Sequence, residues 1–361
     1  MRSDLRITRL SDGQGPAVHF YYDVPLESPD GRRILYSRFD DDTLPSPATV
    51  VVADADGSDP TPIGRGEEAI GHVGCQPQWV GADRIAWSPR QQTDPHSVVV
   101  DLAGGHTERL PSILRSWNQD VGVGALLGGG GAAEVKDDLS RLQTLRRWDA
   151  ATGRRQEWLT VQAAHRVHPQ QDRFDWKMSN FQNAKFSPDG RHLMVVYGTE
   201  VHRRRTGDTG CPRIKSLLVL PVDGGPQPPT YLGEFGHHPM WAPHGNGVIA
   251  YVRDSAGQHV LRYPLDGGEP QVLLPHAPGT HCSLDRSAKR LLTDVMGDGR
   301  ARILLIDLGS GAHQLLADGV HERSGHLHGS HPHPQFSRDG RRVMFNMADS
   351  GVPQLYAVDL P

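Results

Sequence analysis

The residues of this 361-residue sequence best equipped for chemistry are a run of histidines toward its C-terminal end: His321, His326, His328, His331 and His333. The last four lie in Gly325-His-Leu-His-Gly-Ser-His-Pro-His-Pro-Gln-Phe336. Imidazole nitrogens suit divalent cations such as zinc, nickel, cobalt, manganese and iron. Alternate residues of an extended segment point the same way, so His331 and His333 are expected to face one ion, with His328 joining from the preceding loop. His281, in Gly279-Thr-His-Cys-Ser283, is a fourth candidate and would complete a four-histidine site. A histidine-rich loop is also what a solvated surface or an adventitious metal trap looks like, so position must decide.

Other polar residues sit at comparable places. His237 and His238 lie in Gly236-His-His-Pro-Met-Trp241, and Asn180, Gln182 and Asn183 precede the phrase Phe186-Ser-Pro-Asp-Gly190. Competing chemistries lack their motifs. There is no Gly-x-Ser-x-Gly elbow, and Gly128 to Gly131 is not followed by the Lys-Ser/Thr of a phosphate loop. Cys211 and Cys282 have no CxxC partner and read as small buried residues. Trp79 and Trp241 read as core, and the basic run His202-Arg-Arg-Arg205 as a solvated insertion.

The elements that must position these residues are announced by a repeat. An apolar or aromatic residue precedes Ser-Pro-Asp-Gly, or a relaxed form of it, and a β-run follows. Clear copies are Ser28-Pro-Asp-Gly31, Ser187-Pro-Asp-Gly190 and Ser337-Arg-Asp-Gly340; weaker ones follow Trp79, Trp241 and Leu284. Asp-Gly between two apolar runs makes a hairpin, because Gly accepts positive φ and Asp bonds to the backbone just beyond it. A third strand ending in an acidic turn follows most copies, as in Ile303-Leu-Leu-Ile-Asp307, and then a short fourth strand. Four strands repeated about seven times describe an all-β, seven-bladed β-propeller in a single domain spanning 1–361. The last blade stops after three strands, so Leu5 to Leu10 is expected to complete it and close the ring, since an unpaired edge is a liability. The least regular stretch, Trp117 to Val161, is assigned to the third blade, with Leu142 to Asp149 as its third strand. In such a fold the histidines and amides fall just before the innermost strands, around one mouth of the central channel, where a polar ligand would bind.

Composition fits this frame. The 41 Gly and 28 Pro are spread along the chain, as many short strands and tight turns require. A net charge of -4 gives no field for a nucleic acid or a membrane surface, so an acidic ligand must be gripped locally. Three scattered cysteines argue against a disulfide framework, and with no apolar leader or spanning stretch the expectation is a cytoplasmic protein. Oligomeric state is not legible.

On these residues the chain resembles the oligogalacturonate lyases, cytoplasmic seven-bladed propeller enzymes of polysaccharide lyase family 22. The family's manganese site uses a histidine from a Thr-His step and a Gln-x-x-His-x-His motif, which fall here on His281 and on His328, His331 and His333. His328 stands where the family usually has glutamine, which makes the set richer in nitrogen and leaves zinc, nickel and cobalt beside manganese as candidate ions. The resemblance further implies His238 as Brønsted base, with His237 as the second candidate, and Arg213 as the family's carboxylate-binding arginine. It implies metal-assisted β-elimination of a 4-linked uronate oligosaccharide to an unsaturated uronide; His237, Asn180 and Gln182, by their expected place at the channel mouth, are the candidate substrate-binding groups. The alternatives are a non-catalytic propeller scaffold of the Tol type, on which the histidines are incidental, and a hydrolase or lactonase using the same metal.

Overall fold

The computed structural model describes residues 5–41, 46–91, 93–128, 142–223, 227–321, 331–349 and 351–360. Its strands follow one plan. β1 (Ile7–Arg9) is followed by the antiparallel meander β2 to β5 (Ala17–Val18, Arg33–Phe39, Ser46–Asp54, Thr61–Ala69) and by β6 to β9 (Gln78–Trp79, Arg84–Arg90, His96–Asp101, Thr107–Leu110). Next come β10 to β13 (Ile113–Asn118, Val123–Leu127, Thr144–Asp149, Arg155–Thr160), β14 to β17 (Asn180–Phe186, His192–Gly198, Lys215–Pro221, Thr230–Glu234) and β18 to β21 (His237–Trp241, Val248–Asp254, Gly257–Tyr263, Gln271–Leu274). The remaining strands, β22 to β28 (Cys282–Leu284, Arg290–Gly297, Arg300–Asp307, His313–Val320, Gln335–Phe336, Arg342–Asp349, Val352–Asp359), form with β1 one eight-stranded sheet. That sheet is two four-stranded meanders joined by the single pair Val320 and Ala348. The second of them is completed as the sequence requires, by β1 against β28 in the register Ile7 to Val358 and Arg9 to Tyr356.

The Ser-Pro-Asp-Gly phrase acts as a preformed turn. In the first copy the Ser28 hydroxyl donates to Asp30 Oδ1 at 2.6 Å, the Gly31 N–H donates to the Ser28 carbonyl at 2.9 Å, and the Arg33 N–H donates to Ser28 Oγ at 3.0 Å. The copies at Ser187 and Ser337 repeat the backbone bonds, and all three glycines sit near φ 70°. A tryptophan strut recurs with equal regularity. Trp79 Nε1 donates to the Leu26 carbonyl at 3.0 Å and Trp241 Nε1 to the Lys185 carbonyl at 2.8 Å, each acceptor two residues before the serine of a copy. Both indoles are buried, as expected of core residues.

The chain groups into two compact units, one of Met1–Arg90, Ser97–Arg109 and Ala277–Pro361, the other of Gln91–His96 and Leu110–His276. In the first, apolar clusters form around Val50, Trp79 and Ile85, around Ile303 and Phe345, and around Tyr36 and Leu355. In the second, one cluster gathers residues of β11 to β17 around Leu145, Phe181 and Tyr197, and another gathers residues of β15 to β20 around Leu217, Trp241 and Tyr263. Thr144–Asp149 is the expected third strand of the irregular stretch; Gly129 to Gly131 and His326 and His328 lie outside the described residues. Two short helices break the all-β plan. The helix α1 (Val161–Arg166) is capped by the Thr160 hydroxyl, and the basic insertion folds into α2 (Glu200–Thr206), ended by Gly207 at φ 67°. Among the described residues no helix is long and apolar enough to cross a membrane.

Candidate metal centre

Three of the predicted ligands meet in the first unit. One ligand nitrogen from each of His281, His331 and His333 can be chosen so that all lie within 4.8 Å of one another, and His281 and His333 are fully buried. Their rings stand 4.5 Å apart for His281 and His333, 5.1 Å for His281 and His331, and 5.5 Å for His331 and His333. Both His333 nitrogens and Nδ1 of His331 are buried without a hydrogen-bond partner among the described residues. Burial pushes the His331 pKa down to about 4, with His72 adding to the effect, and lowers that of His333 further. Neutral, inward-facing imidazoles without partners are what a divalent cation fits.

The convergence has a different origin from the one expected. Residues 331–334 are not strand, and β26 begins only at Gln335. His333 occupies the left-handed region at φ 47°, so a local reversal, not strand alternation, brings it to His331. Asn346, buried on β27, fixes this shape. Its N–H donates to the Pro332 carbonyl at 2.8 Å, its side-chain amide donates to the His331 carbonyl at 3.2 Å, and its Oδ1 accepts the His19 N–H at 3.0 Å. His281 is fixed from β23. Its N–H donates to Asp294 Oδ1 at 3.0 Å, its Nδ1 lies 2.7 Å from Asp294 Oδ2, and its carbonyl accepts the Thr293 hydroxyl at 2.7 Å. With Nδ1 bound to the carboxylate, Nε2 is the nitrogen that His281 offers a metal.

Sequence reasoning missed several neighbours. Asp294 is fully buried, and burial pushes its pKa up to about 6. Tyr21 packs 4.7 Å from His333, and Tyr22 5.1 Å from His281. His19 approaches His333 at 6.1 Å, and His72 lies 5.1 Å from His331. A lone Asp in a strand or a lone His in a turn carries no motif. The one available signal was that His72, like His281, precedes the first strand of a meander.

The remaining predicted residues among those described belong to the second unit, where a common device acts on two of them. The first strands β10, β14 and β18 each slip register near their start, between Leu114 and Ser116, Phe181 and Asn183, and His237 and Met240. Such bulges re-aim side chains. They fall on Arg115, Gln182 and the His238-Pro239 step, and His238 stands at φ 52°. Lys185, buried on β14, donates from Nζ to the Pro239 carbonyl at 2.7 Å and so ties down the step next to His238. Asn180 Oδ1 and Gln182 Nε2 are buried without hydrogen-bond partners among the described residues. His237 is stacked on Tyr251 at 5.1 Å, with Nε2 3.3 Å from Gln258 Oε1. Arg213 is largely exposed and reaches Glu200 at 3.3 Å; the same carboxylate takes Arg204 at 2.9 Å and Lys215 at 3.7 Å. A second donor group, His202, Asp208 and Cys211, closes the turn after α2, where Asp208 Oδ1 already accepts the N–H groups of Gly210 and Cys211.

No family model and no curated protein matches the sequence. Solved structures do. An oligogalacturonate lyase in complex with manganese is 16% identical with a TM-score of 0.68, covering 99% of this chain and 94% of its own. The oligogalacturonate lyase of Vibrio parahaemolyticus is 14% identical, also at 0.68, with 100% and 96% covered. The β-propeller domain of Myceliophteria thermophila Swd1 is 11% identical at 0.57, with both chains covered in full. The chain therefore has a β-propeller fold, similar over nearly its whole length to that of the oligogalacturonate lyases.

Proposed function

We propose that this chain is a metal-dependent lyase that cleaves 4-linked uronate oligosaccharides, oligogalacturonate among them, by β-elimination. The observation that carries the reading is the convergence of His281, His331 and His333 beside Asp294. Similarity of fold to a manganese-bound oligogalacturonate lyase supports it. His281, His331 and His333 would hold the cation, with His328 as the further ligand drawn from the sequence motif. A bound divalent cation would neutralise the uronate carboxylate and so acidify the proton on the adjacent C5.

The chain's own groups do the rest. A neutral His238 takes the C5 proton, work suited to an imidazole. The electron pair of the broken C5–H bond forms the C4–C5 double bond, and the C4–O bond breaks. The leaving sugar departs with that oxygen, which takes up a proton, and the other product is an unsaturated uronide. Arg213 offers a planar fork to a carboxylate, and its contact with Glu200 limits the directions in which that fork points. His237, Asn180 and Gln182 supply hydrogen bonds to sugar hydroxyls. Three free cysteines, all buried, accord with the reducing cytoplasm in which such an enzyme would work.

The test is an ultraviolet screen of uronic-acid oligomers with metal-loaded protein. The conjugated product absorbs where the substrate does not. Chelation and the substitution His238→Ala should each abolish the signal. A flat absorbance on every uronide, with metal bound, would leave a non-catalytic propeller as the better reading.

A further inference from the structure

We infer that His72 is a further ligand of the metal centre, contributed from a part of the chain remote in sequence from the other three. The inference rests on the reading of His281, His331 and His333 as a metal site. His72 sits in the turn between β5 and β6, where Val73 N–H and Gly74 N–H both donate to the Ile70 carbonyl, at 3.0 and 2.7 Å. The Cys75 N–H donates to the buried Ser37 hydroxyl at 3.0 Å and anchors the turn's far end. Gly74 is required there, because at φ 58° a Cβ would come within 2.3 Å of Ser37 Oγ. The turn is therefore held in place from both sides.

The ring it presents has no ordinary reason to be there. His72 stands 5.1 Å from His331, the same separation as His281 from His331, and 6.0 Å from His333. A histidine packed for its apolar body would meet aliphatic or aromatic carbon; this one meets the imidazoles of His331, whose Nδ1 has no hydrogen-bond partner among the described residues, and of His333, whose two nitrogens have none there. A shared cation would take one nitrogen from each ring, with the His72 ring closing in on the three histidines whose nitrogens already lie within 4.8 Å of one another. The resulting set of neutral nitrogen donors favours zinc, cobalt, nickel or copper over manganese, which prefers oxygen.

The experiment is a Co2+ titration of the full chain, read by chelator competition and by the visible absorption of the bound ion, with apo melting as a fold control. His72→Ala and His72→Gln are compared with His328→Ala and with wild type; the Gln variant keeps bulk should the Ala variant fail to fold. Expected is a rise in Kd for Co2+ of at least about tenfold in the His72 variants, with altered visible bands and unchanged apo melting. If both His72 variants bind with wild-type affinity and spectrum, or if only His328→Ala weakens binding, His72 is not a ligand and the centre stands without it. If wild type binds no Co2+, the metal reading fails as well. Lyase activity enters none of these outcomes, so a failed uronide screen leaves the ligand question answered.

Discussion

Asp294 grips His281 twice, through the backbone N–H at 3.0 Å and through ring Nδ1 at 2.7 Å, and neither residue has any exposed surface. A carboxylate buried at a desolvation cost that lifts its pKa to about 6 needs a reason to be there. Orienting a ligand imidazole and raising its basicity supplies one. Asp294→Asn keeps the oxygen that accepts the backbone N–H and loses the negative charge. The expected result is a loss of metal affinity of about 10–100-fold, with the apo protein at least as stable to urea as wild type. Equal affinity in the two proteins would make Asp294 a purely structural partner.

Lys185 deserves a parallel test in the other unit. Its ammonium holds the carbonyl exposed by the bulge at His238-Pro239, and its own carbonyl takes the Trp241 indole. Lys185→Met removes this buried charged donor to the Pro239 carbonyl, a loss of about 1–3 kcal/mol in urea unfolding. On the lyase reading, kcat should fall more than KM rises, because the base is displaced while the sugar contacts remain. Lys185→Arg, which can still reach the carbonyl, should recover part of both.

The pattern of what was readable follows from the range of the interactions. The Ser-Pro-Asp-Gly turns are local, with every bond made inside six residues, so Ser28, Ser187 and Ser337 announced their meanders. Pairing of β1 with β28 was legible by elimination, since an incomplete last meander needs a strand. The histidine cluster was visible as composition, but the reversal at His333 was not, because positive φ in a non-glycine residue is imposed by distant bonds from Asn346. The roles of Asp294, Asn346 and His72 depend on contacts across many residues and leave no mark in local spacing. The helix α2 was hidden because a run of three arginines reads as solvated charge, whereas Glu200 and Arg204 pair across one helical turn.

Acid should destabilise the second unit through His168. This residue is fully buried, its Nε2 lies 2.9 Å from Ser216 Oγ, and its Nδ1 accepts the Gln170 N–H, so only the neutral ring fits. Burial, with His165 adding, pulls its pKa from 6.5 to about 4. The unfolded chain therefore binds a proton that the folded chain does not between those values, and stability falls as pH drops through 6.5 toward 4. By pH 5 the contribution lost reaches up to about 2 kcal/mol. Urea midpoints at pH 7.5 and 5 should differ less in His168→Gln than in wild type, even though the variant starts lower. Parallel pH dependence in both proteins would assign the acid sensitivity elsewhere.

Two glycines separate backbone conformation from crowding. Gly31, in the first Ser-Pro-Asp-Gly turn, has φ 71° with no atom within 4 Å of a built Cβ. Gly31→Ala should cost only the left-handed strain, about 1–2 kcal/mol, and leave metal binding alone. Gly279 has φ 91°, and a Cβ there would stand 2.2 Å from Thr293 Oγ1 and 2.4 Å from the Asp294 carbonyl. Those atoms belong to the residues that hold His281, through the Thr293 hydroxyl and the Asp294 carboxylate. Gly279→Ala must therefore push β23 away from the Thr280-His281 step or break the bonds between them. Its urea midpoint should fall further than that of Gly31→Ala, and its metal affinity should drop at least as far as that of Asp294→Asn. If the two glycine variants lose the same stability and both keep wild-type metal affinity, the packing of Gly279 against Thr293 and Asp294 is not what positions His281.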